Sequence, residues 1–526
     1  MKVAVDFSPR MPVLPASEQA FVRALALCIR QPLPENESQR SGRVKADRIV
    51  MKPERTASLL AALVWTMPGC SRGPGRNSES KANPLASTSS VVISRSHSFD
   101  PCSLILAPHG GEGGADKEIG RLQREVQQAA DPSRAIEQLG WAFVAKARVS
   151  FDAFYFKLAE DCALCLESRE PGSLEAMLLR GHALHNQHRF KEAEPLAREL
   201  VARRGLPFEY GLLGDVLMEQ GQLAEATEAY QTMIDLRPDL QSYARGAHVR
   251  WLKGSLAGAV ALMELAASAA SPVDAESAAW LNTRLAFYHL QADDSRAAQR
   301  VCDAALEFQK DYAPALLLRG RILLAEGETA AAIGPLERAT QLNPLPEYQW
   351  TLAEALRAEG RDREAFALEK ALRRTGAAAD PRTFALFLAT RGDQPDTAVR
   401  LAQAELNQRG DVFTQDALAW SLQAAGRIEE AGAHMEKALA EGTQDARLAF
   451  HAAVIAAKAG RQDDARHWFE AAFERFHLLL PSEQARLEAG SLLADAGDFD
   501  EPSPVADSES NNFSTPGPQL APGAER

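Results

Sequence analysis

No apolar run in this 526-residue chain reaches the ~20 residues that a helix needs to cross a bilayer. Cysteine is scarce. Cys28, Cys70, Cys102, Cys162, Cys165 and Cys302 are too few and too scattered for a disulfide framework, and they leave the compartment open. Catalytic signatures are missing too: there is no Gly-x-Ser-x-Gly, no His-Glu-x-x-His and no Walker loop, which argues against an enzyme. A basic surplus is confined to one end. Residues 1–76 hold twelve Lys/Arg against six Asp/Glu, a net of +6; since the whole chain is −13, the remainder carries −19. Phosphate binding needs clustered Lys and Arg, so a body this acidic excludes nucleic acid and anionic lipid as partners.

What is present is globular in composition, with 46% apolar and 25% charged residues, so wholesale disorder is excluded. A chain of this length exceeds one ordinary hydrophobic core unless it grows lengthwise as a repeat array. A repeat is there. "YGLLGDVLMEQGQLAEATEAYQTMIDLRP", Tyr210 to Pro238, carries apolar residues at helical spacing through Leu213 and Leu217, breaks at Gly221, and resumes to Leu236. That is a helix-turn-helix hairpin, with Gly221 suited to the left-handed turn and Pro238 to the stop. The unit returns at Ala193, Ala226, Ala259, Ala298, Ala332, Ala365, Ala398, Ala431 and Ala465, with gaps of 33, 33, 39, 34, 33, 33, 33 and 34 residues. A glycine precedes the alanine by five residues in six of the nine units, at Gly221, Gly254, Gly327, Gly360, Gly426 and Gly460. Alanine lets the two helices cross closely. Each hairpin then stacks on the next, so every unit is expected to touch only its neighbours.

The pattern resembles the tetratricopeptide repeat family, and nine units cover roughly 174–478. The second unit carries Tyr210, Leu213, Gly214, Leu217, Ala226, Tyr230 and Pro238; the fifth carries Gly320, Leu323, Ala332, Ala339 and Pro344. Ala247, Ala286, Ala353, Ala419 and Ala453 stand in place of the family's first glycine, as does Leu386, and a longer loop near Ser271–Glu276 accounts for the gap of 39. The resemblance implies an all-α, right-handed superhelical solenoid that binds a protein or peptide in its concave groove. Residues 132–173 are expected to form a degenerate N-terminal repeat, and 479–498 a capping helix. A flexible linker and lead-in helix are expected over 71–131, and a disordered acidic tail over 499–526.

The stretch "MKPERTASLLAALVWTMPGC", Met51 to Cys70, has a charged start (Lys52, Arg55), an apolar middle (Ala57–Met67) and Gly69 before the cysteine. That is the layout of a secretory signal. It resembles a bacterial lipoprotein signal, with Met67 and Pro68 departing from the usual lipobox. The resemblance implies a lipid on Cys70, tethering to the bacterial cell envelope, and translation from Met51 with Met1–Val50 not made. Membrane contact is then through that lipid alone. The alternative is an intracellular adaptor of the same fold with a disordered N-terminus.

Groove candidates come from position. Within each first helix the second, fifth, ninth and twelfth places form one stripe, distinct from the packing stripe. In the family that stripe lines the concave face. Here it supplies Phe208, His248, Trp251, Trp280, Phe287, Arg321, Trp350, Arg357 and Trp420 as partner-facing candidates, with His182, His185, Phe387, Phe413 and Phe450 in the same stripe. Trp and Arg are the residue types that dominate binding hot spots. The competing account is that these rings fill gaps between adjacent units.

Three smaller constellations have plain readings. His182, His185 and His188 fall at intervals of three, as a metal pair on a helix requires, but no fourth ligand is near and they read as polar residues on a solvated face. "CALC" places Cys162 and Cys165 at CxxC spacing within continuous helix, where cysteine packs as a small apolar group. The glycines of "HGGEGGADK" lack the ending of a phosphate loop and continue the linker. No cofactor is expected.

Overall fold

The computed structural model describes residues 100–269 and 274–496. The signal-like segment, Cys70, the stretch 1–50, the linker residues 71–99 and the tail 499–526 lie outside them. Nine antiparallel hairpins form the body of an all-α solenoid. Their paired helices are Leu174–Asn186 and Phe190–Arg203 (unit 1), Pro207–Glu219 and Leu223–Leu236 (unit 2), Leu240–Leu252 and Leu256–Ser268 (unit 3), Ala275–Gln291 and Ser295–Phe308 (unit 4), and Ala313–Ala325 and Thr329–Leu342 (unit 5). There follow Pro346–Ala358 and Asp362–Ala379 (unit 6), Pro381–Arg391 and Pro395–Leu406 (unit 7), Val412–Ala424 and Ile428–Leu439 (unit 8), and Ala446–Lys458 and Gln462–Phe473 (unit 9). A hairpin of Ser133–Ser150 and Phe154–Arg169 precedes them, and a 3-10 turn, Phe476–Leu478, with a last helix, Pro481–Ala496, follows.

The turn within each hairpin explains the glycine register. Gly221, Gly254, Gly327, Gly360, Gly426 and Gly460 all have φ between 71° and 79°, where a side chain is strained. Two units without glycine there use His188 (φ 58°) and Asp293 (φ 61°) at the same backbone position. The histidine that closed the suspected trio is therefore a turn residue. Six of the nine first helices start on side-chain caps: Ser173, Asp239, Asp274, Asp380, Asp411 and Asp445 each accept a hydrogen bond from a first-turn amide. All nine marker alanines are buried. At Gly214 there is no room even for a methyl group, because a Cβ would run into the Tyr230 ring.

Two expectations are corrected. Residues 101–109 are tied down, not a free linker, while Gly110–Gly113 are exposed. Pro101–Leu104 is a short helix tied to the first hairpin by a Cys102–Cys165 disulfide, Ile105 is fully buried, and Gln123 Nε2 donates to the carbonyls of Ile105 (2.8 Å) and Ala107 (2.9 Å). Cys165 is thus a disulfide partner, while Cys162 is a buried free thiol whose pKa burial pushes well up. The glycine loop folds onto the helix that follows it, Gly114–Gln128. Asp116 takes an N–H from Gly113 (3.1 Å), and its carboxylate lies against Lys146 Nζ (2.8 Å) and His109 Nε2 (2.7 Å). Lys146, then His109, hold the Asp116 carboxyl down at about 2.

The second correction concerns the array. Units touch their neighbours, but the solenoid also closes on itself. The end of the first helix of unit 2 meets the loop before unit 8, where Gly410 N–H donates to the Glu219 carbonyl (2.9 Å) and Arg409 pairs with the Glu219 carboxylate. One unit on, the contact repeats: Thr443 Oγ1 donates to the Leu252 carbonyl (2.5 Å) and Lys253 Nζ lies 3.1 Å from Glu441. A Cβ at Gly221 would collide with the Gly410 carbonyl, and one at Gly254 with that of Gly442. Those two glycines are fixed by close approach as well as by φ. Replacing Ala226 with leucine is expected to overpack its hairpin and cost about 1–3 kcal/mol. Hydrogen exchange should then rise in units 1–3 and, through the closure, in unit 8, with units 5–6 unchanged. Ala332→Leu should spare units 1–3. Uniform loss of protection in either variant would contradict this.

Candidate protein-interaction groove

First helices of neighbouring units contact one another, and closure brings stripe residues of distant units together. Trp251 of unit 3 stacks on Phe413 of unit 8 with ring centroids 5.3 Å apart, and Phe287 meets Trp251 edge-on at 5.1 Å. Trp350 of unit 6 lies beneath the Arg447 guanidinium of unit 9 at 5.1 Å and donates from Nε1 to Glu354 (3.0 Å). Trp420 stacks on His451 at 4.0 Å and donates to Thr390 Oγ1 (3.0 Å). Trp251, Trp280, Trp350 and Trp420 are 4%, 8%, 2% and 1% exposed, so the four tryptophans lie inside the closed array and not on an open face. The stripe is legible in sequence; what stands across it is not. The half-buried members are Phe208, His248, Phe287, Arg321, Arg357 and Phe413. Burial, then the nearby Arg284, pushes the His248 imidazole well below its usual range.

Two segments of the chain reach into this space. From the N-terminal hairpin comes the turn after Ser150, where Phe151 packs against both the main core and the separate core of units 5–6, and Arg148 pairs with Glu276 of unit 4. From the C-terminal end comes 476–482. Arg321 Nη2 donates to the Leu478 carbonyl (3.3 Å), and Ser482 donates to Glu354 twice, from its amide (3.0 Å) and its hydroxyl (2.9 Å). Glu483 caps the last helix by accepting from Leu480 N–H (2.9 Å) and grips Arg447 (2.7 Å). Burial opposes charge on Glu483, but Arg447 and that N–H hold it below the usual carboxylate range. Sequence reasoning missed Glu354, Arg447, Glu483 and Arg409. The loops before units 8 and 9, 407–411 and 440–445, did carry a signal: each is longer than the three-residue loops before units 2, 3 and 6 and contains a glycine.

The histidines are corrected as well. His182 and His185 are each 3% exposed and do not lie on a solvated face. His182 sits between Trp141 (5.3 Å) and Phe208 (6.0 Å), whereas His185 and His188 both lie against Phe190. Burial lowers all three pKa values. Among the described residues no three His, Cys, Asp or Glu side chains converge as a metal site would require.

The tetratricopeptide repeat model matches residues 178–240 and 417–476, which cover most of units 1–2 and 8–9. Those two stretches are tetratricopeptide repeats, and units 3–7 between them repeat the same helix-turn-helix hairpin. This is the architecture of a protein–protein interaction scaffold. No curated protein matches the sequence. Among solved structures the array is similar to the APC/C hetero-tetramer Cut9–Hcn1 at 12% identity over 70% of this chain and 62% of that one, with a TM-score of 0.37. It is also similar to the human IFIT1 dimer with PPP-AAAA, at 15% identity over 62% of this chain and 78% of that one (TM-score 0.42), and to yeast Tom70, at 15% over 73% and 92% (TM-score 0.31). The chain thus spans 62% of the length of the first of these. None is near enough for its partner to be carried over to these tetratricopeptide units.

Proposed function

We propose that this protein is an envelope-anchored scaffold whose concave face, around units 3–6, receives a protein or peptide. The observation that carries the reading is the stripe of aromatic and arginine side chains on successive first helices, with Phe287, Arg321 and Arg357 half-exposed along it. Arginine and aromatic rings offer large contact area with charge-assisted donors. Anchoring rests on the signal-like segment ending at Cys70. The Cys102–Cys165 bond supports it, because disulfides persist in oxidising compartments and are rare in the cytosol. The experiment is photo-crosslinking of the full chain in its native cells, with the crosslinker at Phe287 or Arg357 and a control at Phe366 on the second helix of unit 6. A partner captured at the groove and not at Phe366 is expected. Capture only at Phe366 would overturn the groove. Mass spectrometry of the native protein should find a lipid-modified Cys70 and a Cys102–Cys165 peptide pair, and an intact peptide from residues 1–50 would sink the anchor.

A further inference from the structure

A terminal cap needs only to cover the last unit, and this one does more. Its helix packs on the second helix of unit 9 and on the first helix of unit 6, while the turn before it touches the first helices of units 5 and 9. Leu478, Leu479 and Leu480 are 8%, 3% and 3% exposed. Leu479 is extended, with φ −74° and ψ 154°. The segment is held as a bound peptide would be, with one backbone carbonyl on Arg321, one amide and one hydroxyl on Glu354, and His477 Nε2 3.3 Å from Asp293.

We propose that Phe476–Ser482 is a built-in ligand of the groove, and that the partner displaces it with a stretch of the same chemistry. That stretch carries an imidazole or cation to face Asp293, successive leucine-like side chains, and a hydroxyl residue two places further on to donate to Glu354. The inference deepens the scaffold reading and rests on it. Competition by the chain's own segment lowers apparent affinity by the fraction of molecules in which the groove is open.

The probe is the octapeptide FHLLLPSE, labelled, with a scrambled peptide as control, added to the full chain. Leu479→Asp, which puts a carboxylate where a leucine is buried, should release the segment and tighten binding of the probe by about tenfold or more over the wild type. Ser482→Ala, a milder change, should tighten it by less. In the wild type, excess octapeptide should speed amide exchange over 476–487 while the first helices of units 5 and 6 stay protected, a readout that does not depend on how well the variants fold. Exchange over 476–487 that is unmoved by the octapeptide, or moved equally by the scrambled one, overturns the proposal. A concentration-dependent dimer that exchanges this segment would put a second copy in the groove and overturn it too. Groove crosslinking to a partner without displacement by the octapeptide leaves the scaffold reading standing and removes the built-in ligand alone.

Discussion

Replacing Asp215 with alanine is expected to lower stability by about 3–5 kcal/mol, the cost of stranding a buried charge. Asp215 holds Arg245 in a two-pronged pair, Nε to Oδ1 at 2.7 Å and Nη2 to Oδ2 at 2.6 Å, and accepts from the Tyr230 hydroxyl at 2.9 Å. Arg245 is 1% exposed and Tyr230 is 1% exposed, so water cannot replace the carboxylate. Burial alone would drive the guanidinium toward losing its proton, but Asp215 more than offsets it and the pKa is raised. The pair joins the first helices of units 2 and 3, and the turn after that of unit 2 makes the closure with Gly410. The damage should therefore show at both arms. Urea unfolding and hydrogen exchange measure it. The double replacement Asp215→Leu with Arg245→Leu should recover most of the loss, because a buried pair exchanged for apolar groups of similar volume is often close to neutral. A loss below about 1 kcal/mol for Asp215→Ala, or a double variant worse than the single, would contradict this account.

Trp350→Ala and Trp420→Ala should each cost about 3–5 kcal/mol, as large-to-small changes in a core do. Trp350 fills the space between units 6, 7 and 9, meeting Phe387 at 5.8 Å and Arg447 at 5.1 Å. Its loss also removes a donor from Glu354, which is 1% exposed and shared with Arg391 and Ser482. Trp420 lies flat on His451, whose Nδ1 is 2.7 Å from Asp416, so its removal opens a cavity beside a buried polar pair. A large fall in melting temperature is expected. A small fall, with partner capture lost, would mean that these rings meet the partner in an opened array.

The sequence by itself determined the repeat. Period, turn and crossing are local matters. A left-handed turn needs a residue that tolerates positive φ, and a close crossing needs a small side chain, so Gly221 and Ala226 announce a hairpin wherever they recur. The spacing also marked a second stripe on each first helix, because side-chain direction on a helix follows from spacing, while its place on the concave face is what the family resemblance implies. Only the tertiary structure decided what faces that stripe. Superhelical curvature is the sum of small rotations over many units, and no short pattern records whether unit 8 returns against unit 2 or passes clear of it. The contacts that depend on that sum therefore stayed hidden: Gly410 on Glu219, Phe413 on Trp251, Ser482 on Glu354. The Cys102–Cys165 bond was illegible for a related reason, since partners 63 residues apart are brought together by packing and not by spacing. Burial of His182 and His185 followed from the same packing. An imidazole on a helix reads as solvated until Trp141 and Phe208 close over one and Phe190 over the other.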